Sequence, residues 1–293
     1  MQCVLWAGAW AYAWKVDCQI IQNNTTFHAD SCGLARGLSQ INLCLEDMFN
    51  KLRNNPKGWM VISLVLVALF APPREDFIEG IFWLSVSVFV AVVIDTLLSL
   101  LKRRGLNFPS SATITGLIVG MVLDYHQSLW ILVIAVAIAI LSKHLLIWKR
   151  KHIFNPANFG LLVSSIFLRG IISWWAGVPM IPIVILGFFI ALKMRRLSLV
   201  AVFLGLHLFF FGVSALLLHH QFVSQLAILN FYFAFFMLVE PKTSPITTRG
   251  RLIYGILTAL LVFTFLSIIP QYDSHILALA CINLLIPLVN KLV

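Results

Sequence analysis

The sequence predicts an all-α polytopic membrane bundle of about ten spanning helices in two inverted five-helix repeats. Three observations carry this. Hydrophobic residues make up 60% of the 293-residue chain, charged residues only 11%, and the mean hydropathy is +0.95. A soluble domain of this length cannot hide so much apolar surface, so lipid must solvate part of it. The apolar residues fall into runs separated by turn-rich breaks. The breaks carry Lys and Arg in alternation.

The runs place helices near 58–71, 77–101, 111–123, 128–148, 158–175, 178–193, 197–218, 225–239, 252–269 and 275–290. Several are shorter than the roughly 20 residues of a straight span, which is tolerated where a helix is broken or buried in protein. Alternate gaps hold Lys51, Arg53 and Lys57; Lys102, Arg103 and Arg104; Lys149, Arg150 and Lys151; Lys193, Arg195 and Arg196; Lys242, Arg249 and Arg251; and Lys291. These are sixteen of the 21 cationic residues, and the intervening gaps hold Arg74 alone. Ten helices with both termini cytoplasmic put every member of the basic set inside, as the positive-inside rule requires. The net charge of +10 is therefore read as insertion topology, and nucleic acid is excluded as a partner. The lipid bilayer is the expected surrounding.

Residues 1–47 differ from the rest. They carry Cys3, Cys18, Cys32 and Cys44, little periodicity and no zinc-ligand spacing. They are expected to be a non-core extension or a mis-assigned start, with residues 48–293 forming the transmembrane domain and Met48 an ordinary alternative beginning.

The organisation beyond 47 is two sets of five helices. An odd number per set gives the sets opposite orientation, and such folds build sites where interrupted helices meet near the midplane. Two interruptions stand out. At Phe154–Gly160 (FNPANFG), Pro156 suits the first helical turn and Asn155 suits the N-cap before it. With Asn158 in the first turn, this end either faces an anion or simply caps the helix. At Glu240–Gly250 (EPKTSPITTRG), two prolines forbid a helix. Lys242, Thr243, Ser244 and Thr247 suit phosphate contacts, or form a solvated loop. A third segment, Ser110–Gly116 (SSATITG), combines hydroxyls and glycine at a helix entry. Asp95 lies deep in the second helix. An intramembrane acid is a candidate for an ion pathway by default, with pairing to Lys143 as the alternative. His144 and His207 could ligate haem only if facing helices supplied the second ligand, and are otherwise core or snorkelling side chains. No metal site and no self-contained catalytic motif is legible.

Taken together, SSATITGLIVGMVL, KHIFNPANFG, FFMLVEPKTSPITTRGRLIYG and HILALACINLLIPLVN resemble, in order and spacing, the RnfD/NqrB membrane subunits. The resemblance covers about residues 58–293, and FNPANFG and EPKTSP are its specific elements. It implies ten spans in inverted repeats and a subunit of a redox-driven ion-translocating complex with other Rnf/Nqr-like membrane subunits as partners. It also implies a flavin, FMN or riboflavin, whose contacts would come from Asn155, Asn158, Lys242, Thr243, Ser244 and Thr247. The chain departs from the family twice. Glu240 stands where the family has Asp. The Ser-Gly-Ala-Thr-like motif that carries covalent FMN is absent between Gly160 and Glu240, and Ser110–Thr113 precedes FNPANFG rather than following it. Covalent FMN is therefore not expected, and any flavin would be held non-covalently. The rival reading is a small-solute transporter or channel on the same scaffold, since the family's fold resembles that of urea channels.

Overall fold

A computed structural model describes residues 55–72, 75–102, 109–148, 151–217 and 230–292. The expectations for residues 1–47 lie outside this set. Nine α-helices are described: α1 (Pro56–Phe70), α2 (Phe77–Leu101), α3 (Ser110–Val122), α4 (Leu129–Leu145), α5 (Pro156–Phe167), α6 (Met180–Lys193), α7 (Leu197–Leu217), α8 (Thr248–Ile268) and α9 (Ser274–Leu292). A π-helical segment, Phe233–Met237, stands in the eighth position. A minimal hairpin, β1 (Ile147–Trp148) and β2 (Lys151–His152), joins α4 to α5 with Ile147 opposite His152.

Among the described residues, α2, the Leu197–Ser214 part of α7 and α8 are long and apolar enough to cross a membrane, alongside six shorter apolar helices. Their outward faces are apolar: Phe82, Phe89 and Leu97 on α2, Phe209 on α7 and Leu260 on α8 are exposed. A continuous apolar exterior on a packed bundle requires lipid. The chain is an all-α membrane helical bundle.

The packing is duplicated. α1 lies on α3 as α6 lies on the π-segment; α2 lies on α4 as α7 lies on α8; α4 lies on α5 as α8 lies on α9. Between the two sets, α1 meets α6 and α5 meets α9, so corresponding elements pair across the join. α3 and the π-segment are the most deeply buried elements. Every residue of α3 from Thr115 to Val122 is buried, as is every residue of the π-segment. Elements apolar all round belong inside a bundle rather than on its lipid face. Tyr232 links them, its hydroxyl 3.1 Å from the Met121 sulfur. Gly116 and Gly120 bring α3 against α2, where an added Cβ would lie 3.0 Å from Val88 Cα and Ser87 Cβ respectively.

Two predicted helix ends differ from the structure. The fifth helix was expected to reach residue 175 but ends at Phe167. Leu168 and Gly170 both donate backbone N–H bonds to Ser164 O, and Arg169 between them is left-handed at φ 54°. This closes the helix with a reversed turn. The chain then runs back along the end of α3, bridging Ile172 to Leu123 and donating from Ser173 and Trp174 to Val122 O. The fourth helix likewise stops at Leu145, where the hairpin begins. For the eighth helix, expected over 225–239, only the part from residue 230 is described.

Candidate functional site

The basic gaps gather at one end of the bundle. Lys102 Nζ donates to His144 O at 3.3 Å, Lys242 Nζ lies 3.3 Å from His152 Nε2, and Arg196 donates to Pro245 O. The other end gathers the remaining gaps: Tyr125 donates to Asp76 at 3.0 Å and Trp174 Nε1 to Asp273 at 2.6 Å.

At the basic end residues of the two predicted interruptions, Asn155 and Ala157 from one and Glu240, Pro241 and Lys242 from the other, line one small cavity. Asn155 caps α5, its side-chain oxygen accepting from Asn158 N at 3.2 Å, and its Nδ2 donates to Met237 O at 3.2 Å. The carbonyl it satisfies belongs to the π-segment, whose i→i+5 pattern leaves acceptors out of helical register. Asn158 turns the other way, donating to Ile276 O of α9 at 3.0 Å. The FNPANFG polar groups therefore tie the first set of helices to the second. Asn155→Ala removes a cap and an interhelical bond together. We expect it to lower stability by about 2 kcal/mol. Asn155→Asp keeps the cap acceptor but loses the donor, so it should fall between parent and Ala in a thermal-unfolding series.

The hydroxyls of EPKTSP serve the loop itself. Ser244 Oγ donates to Glu240 O at 2.8 Å, Thr243 lies 3.5 Å from a Glu240 carboxylate oxygen, and Thr247 caps α8 by accepting from Gly250 N at 3.1 Å. Arg251 donates to Ile246 O at 2.6 Å and reaches Arg195 O, so arginines staple the loop in place. A cavity of about 230 Å³ opens beside it, lined by Lys57, Ser111, Thr115, Asn155, Glu240 and Lys242 among others. Of the predicted cofactor contacts, Asn155 and Lys242 line this cavity. Asn158, Thr243, Ser244 and Thr247 do not.

Two loop groups have shifted acidities. Burial, with Lys242 adding to it, pushes the His152 imidazole down to about 4, so it accepts from the Lys242 ammonium. Burial raises the Glu240 carboxyl to about 7 from an ordinary 4.5, against the opposing pull of Lys242, Lys57 and Lys143. The folded chain thus holds this proton more tightly than the unfolded one. Its contribution is fully present below pH 4.5 and is lost as pH rises through 7. Glu240→Gln should leave stability unchanged near pH 4 and raise it by about 1–2 kcal/mol at pH 8, after allowing for partial solvation. Unfolding midpoints at the two pH values check this.

Asp95 sits near the basic end of α2. Its Oδ1 accepts from Lys143 Nζ at 2.8 Å and His144 Nε2 at 2.9 Å. Asp95 is thus occupied as the counter-ion of α4.

The opposite end holds a feature the sequence reading missed, a cavity of about 1020 Å³. Trp174, Phe231, Tyr272 and His275 give it aromatic walls, and Arg169 and Asn230 are among its polar groups. Its residues come from four separate segments of the chain. The signal in the sequence was the aromatic pair Trp174–Trp175 beside Gly170 and Gly177, in a stretch assigned to helix. Trp174 is left-handed at φ 51°, rare for a bulky residue and held by its bonds to Val122 O and Asp273.

Residues 166–293 match the model of the NQR2, RnfD, RnfE family, and over that range the chain is RnfD/NqrB-like. No curated protein matches the chain. The matched range contains all of the large cavity's lining except Ser165.

Proposed function

We propose that this RnfD/NqrB-like chain is an integral membrane subunit of an Rnf- or Nqr-type electron-transport complex, with its basic end cytoplasmic, and that it holds a flavin non-covalently in the cavity at the opposite end. The observation that carries the reading is an aromatic-walled cavity of about 1020 Å³ within the segment that matches the family. Ligand sites commonly span about 300–1,000 Å³. The cavity at the basic end, about 230 Å³, suits a phosphate-sized anion rather than a tricyclic ring. Trp174 and Phe231 supply faces on which a planar ring stacks. Asn230 and Gln271 offer partners for its polar edge, and the Arg169 guanidinium suits a terminal phosphate. When bound, the flavin would supply the one- and two-electron chemistry. The chain's own residues bind it, orient it and keep it out of lipid.

The purified protein should show visible flavin absorption that bleaches on reduction with dithionite. A colourless protein would overturn this reading in favour of a solute channel. The same sample, denatured after coexpression with a flavin transferase, should give no fluorescent band in a gel. Thr113, the threonine of the near-matching tetrapeptide, donates back to Pro109 O at 3.1 Å at the basic end. A fluorescent band abolished by Thr113→Ala would contradict the non-covalent assignment.

A further inference from the structure

Asp273 bonds in two directions at once. Its Oδ1 accepts from Ile276 N at 2.9 Å and its backbone carbonyl from Leu277 N at 3.1 Å, which makes it the N-cap of α9. Its Oδ2 accepts from Trp174 Nε1 at 2.6 Å, across 99 positions of sequence. Both residues line the large cavity. Trp174 needs such a hold. Its backbone sits in the left-handed region at φ 51°, ψ 34°, which a bulky residue keeps only where its surroundings fix it. Tyr232, Phe233 and His275 meet its ring edge to face at 6.0–6.2 Å. Among the described residues, the hydrogen bond that fixes the side chain is the one to Asp273. That carboxylate is 16% exposed, and a charged acceptor gives the shorter and stronger class of bond.

The geometry points to Asp273 as the positioning residue of this cavity, clamping Trp174 as its stacking wall and biasing the site toward oxidised rather than reduced flavin. The inference rests on the flavin reading above. Two effects of the carboxylate have the same sign. Accepting from the indole N–H, it pushes electron density into the ring. An electron-rich face stacks better on the electron-poor oxidised isoalloxazine than on the electron-rich reduced one. The negative charge of Asp273 also opposes the charge that reduction places on the flavin. Asp273 therefore lowers the potential of the bound flavin as well as holding the wall against which it lies.

The test compares the purified full chain with Asp273→Ser, Trp174→Phe and the double variant, each checked for monodisperse elution. Serine caps a helix as aspartate does but does not reach the indole. Phenylalanine keeps a ring and lacks the N–H. Equilibrium dialysis against riboflavin should show each single variant binding at least about tenfold more weakly, with the double variant no weaker than the worse single, as for two halves of one bond. Reductive titration should show the midpoint of bound riboflavin in Asp273→Ser raised by about 30 mV for each tenfold loss of preference for the oxidised form. Asp124→Ser, outside the cavity lining, should match the parent in both. Parent-like affinity or an unmoved midpoint in Asp273→Ser overturns this inference and leaves the flavin reading standing. Additive losses in the double variant do the same. No riboflavin binding by the parent overturns both. If Asp273→Ser does not elute as a monodisperse species, Trp174→Phe decides alone, and parent-like affinity there overturns the clamp.

Discussion

Asp95→Ala should be among the most damaging single substitutions in the bundle. It leaves the Lys143 ammonium, 11% exposed, and the His144 ring, 7% exposed, without the carboxylate that both contact within 2.9 Å. Removing one partner of a buried pair costs about 3–5 kcal/mol, because the remaining charge keeps its desolvation penalty. For a domain of this size that corresponds to a fall of roughly 10 °C in the unfolding midpoint. The double variant Asp95→Ala, Lys143→Leu should recover much of the loss, since it removes the stranded charge as well. A single variant as stable as the parent would show that the pair carries no structural weight.

Gly160→Val should be comparably severe for a different reason. α5 crosses α4 so closely at this point that an added Cβ would overlap the Ala135 carbonyl oxygen and lie 2.7 Å from Ala139 Cβ. Both obstacles are rigid. One is backbone, and the other is a methyl fixed to it, so the helices must separate. Overpacking of this kind costs about 1–3 kcal/mol, occasionally more. The displacement would also draw Asn155 and Asn158 off their acceptors Met237 O and Ile276 O. The expected result is loss of monodisperse protein on size exclusion. Gly205→Ala, at a glycine with nothing within 4 Å of the added Cβ, is the matched control and should be silent.

The two glycines show what was legible in advance and what was not. Gly160 was visible as part of FNPANFG, but only the α4–α5 crossing reveals why a side chain is excluded there. The helix count and the segregation of basic gaps were readable because hydrophobic runs and cation positions are local properties of the chain. That the FNPANFG and EPKTSP segments line one cavity also followed from a physical rule, that exposed backbone at membrane depth must find a partner. What each hydroxyl does was not readable. Thr243, Ser244 and Thr247 looked like phosphate ligands by type, yet they bond their own loop, since short hydroxyl side chains satisfy nearby backbone first. The large cavity escaped notice because Arg169 and Trp174 adopt left-handed backbone where a continuous helix was expected. The contact between the His207 and His275 rings joins different helices, which no local pattern reports.

The large cavity as the flavin site is the central functional claim, and flavin retained per chain after size exclusion tests it most directly. The comparison sets the parent beside Trp174→Ala, which removes a wall of the large cavity, and Lys242→Ala, which alters only the small cavity at the basic end. The expected result is near-stoichiometric flavin in the parent and in Lys242→Ala, with most of it lost from Trp174→Ala. Flavin retained by Trp174→Ala and lost from Lys242→Ala would contradict the assignment and move the site to the basic end.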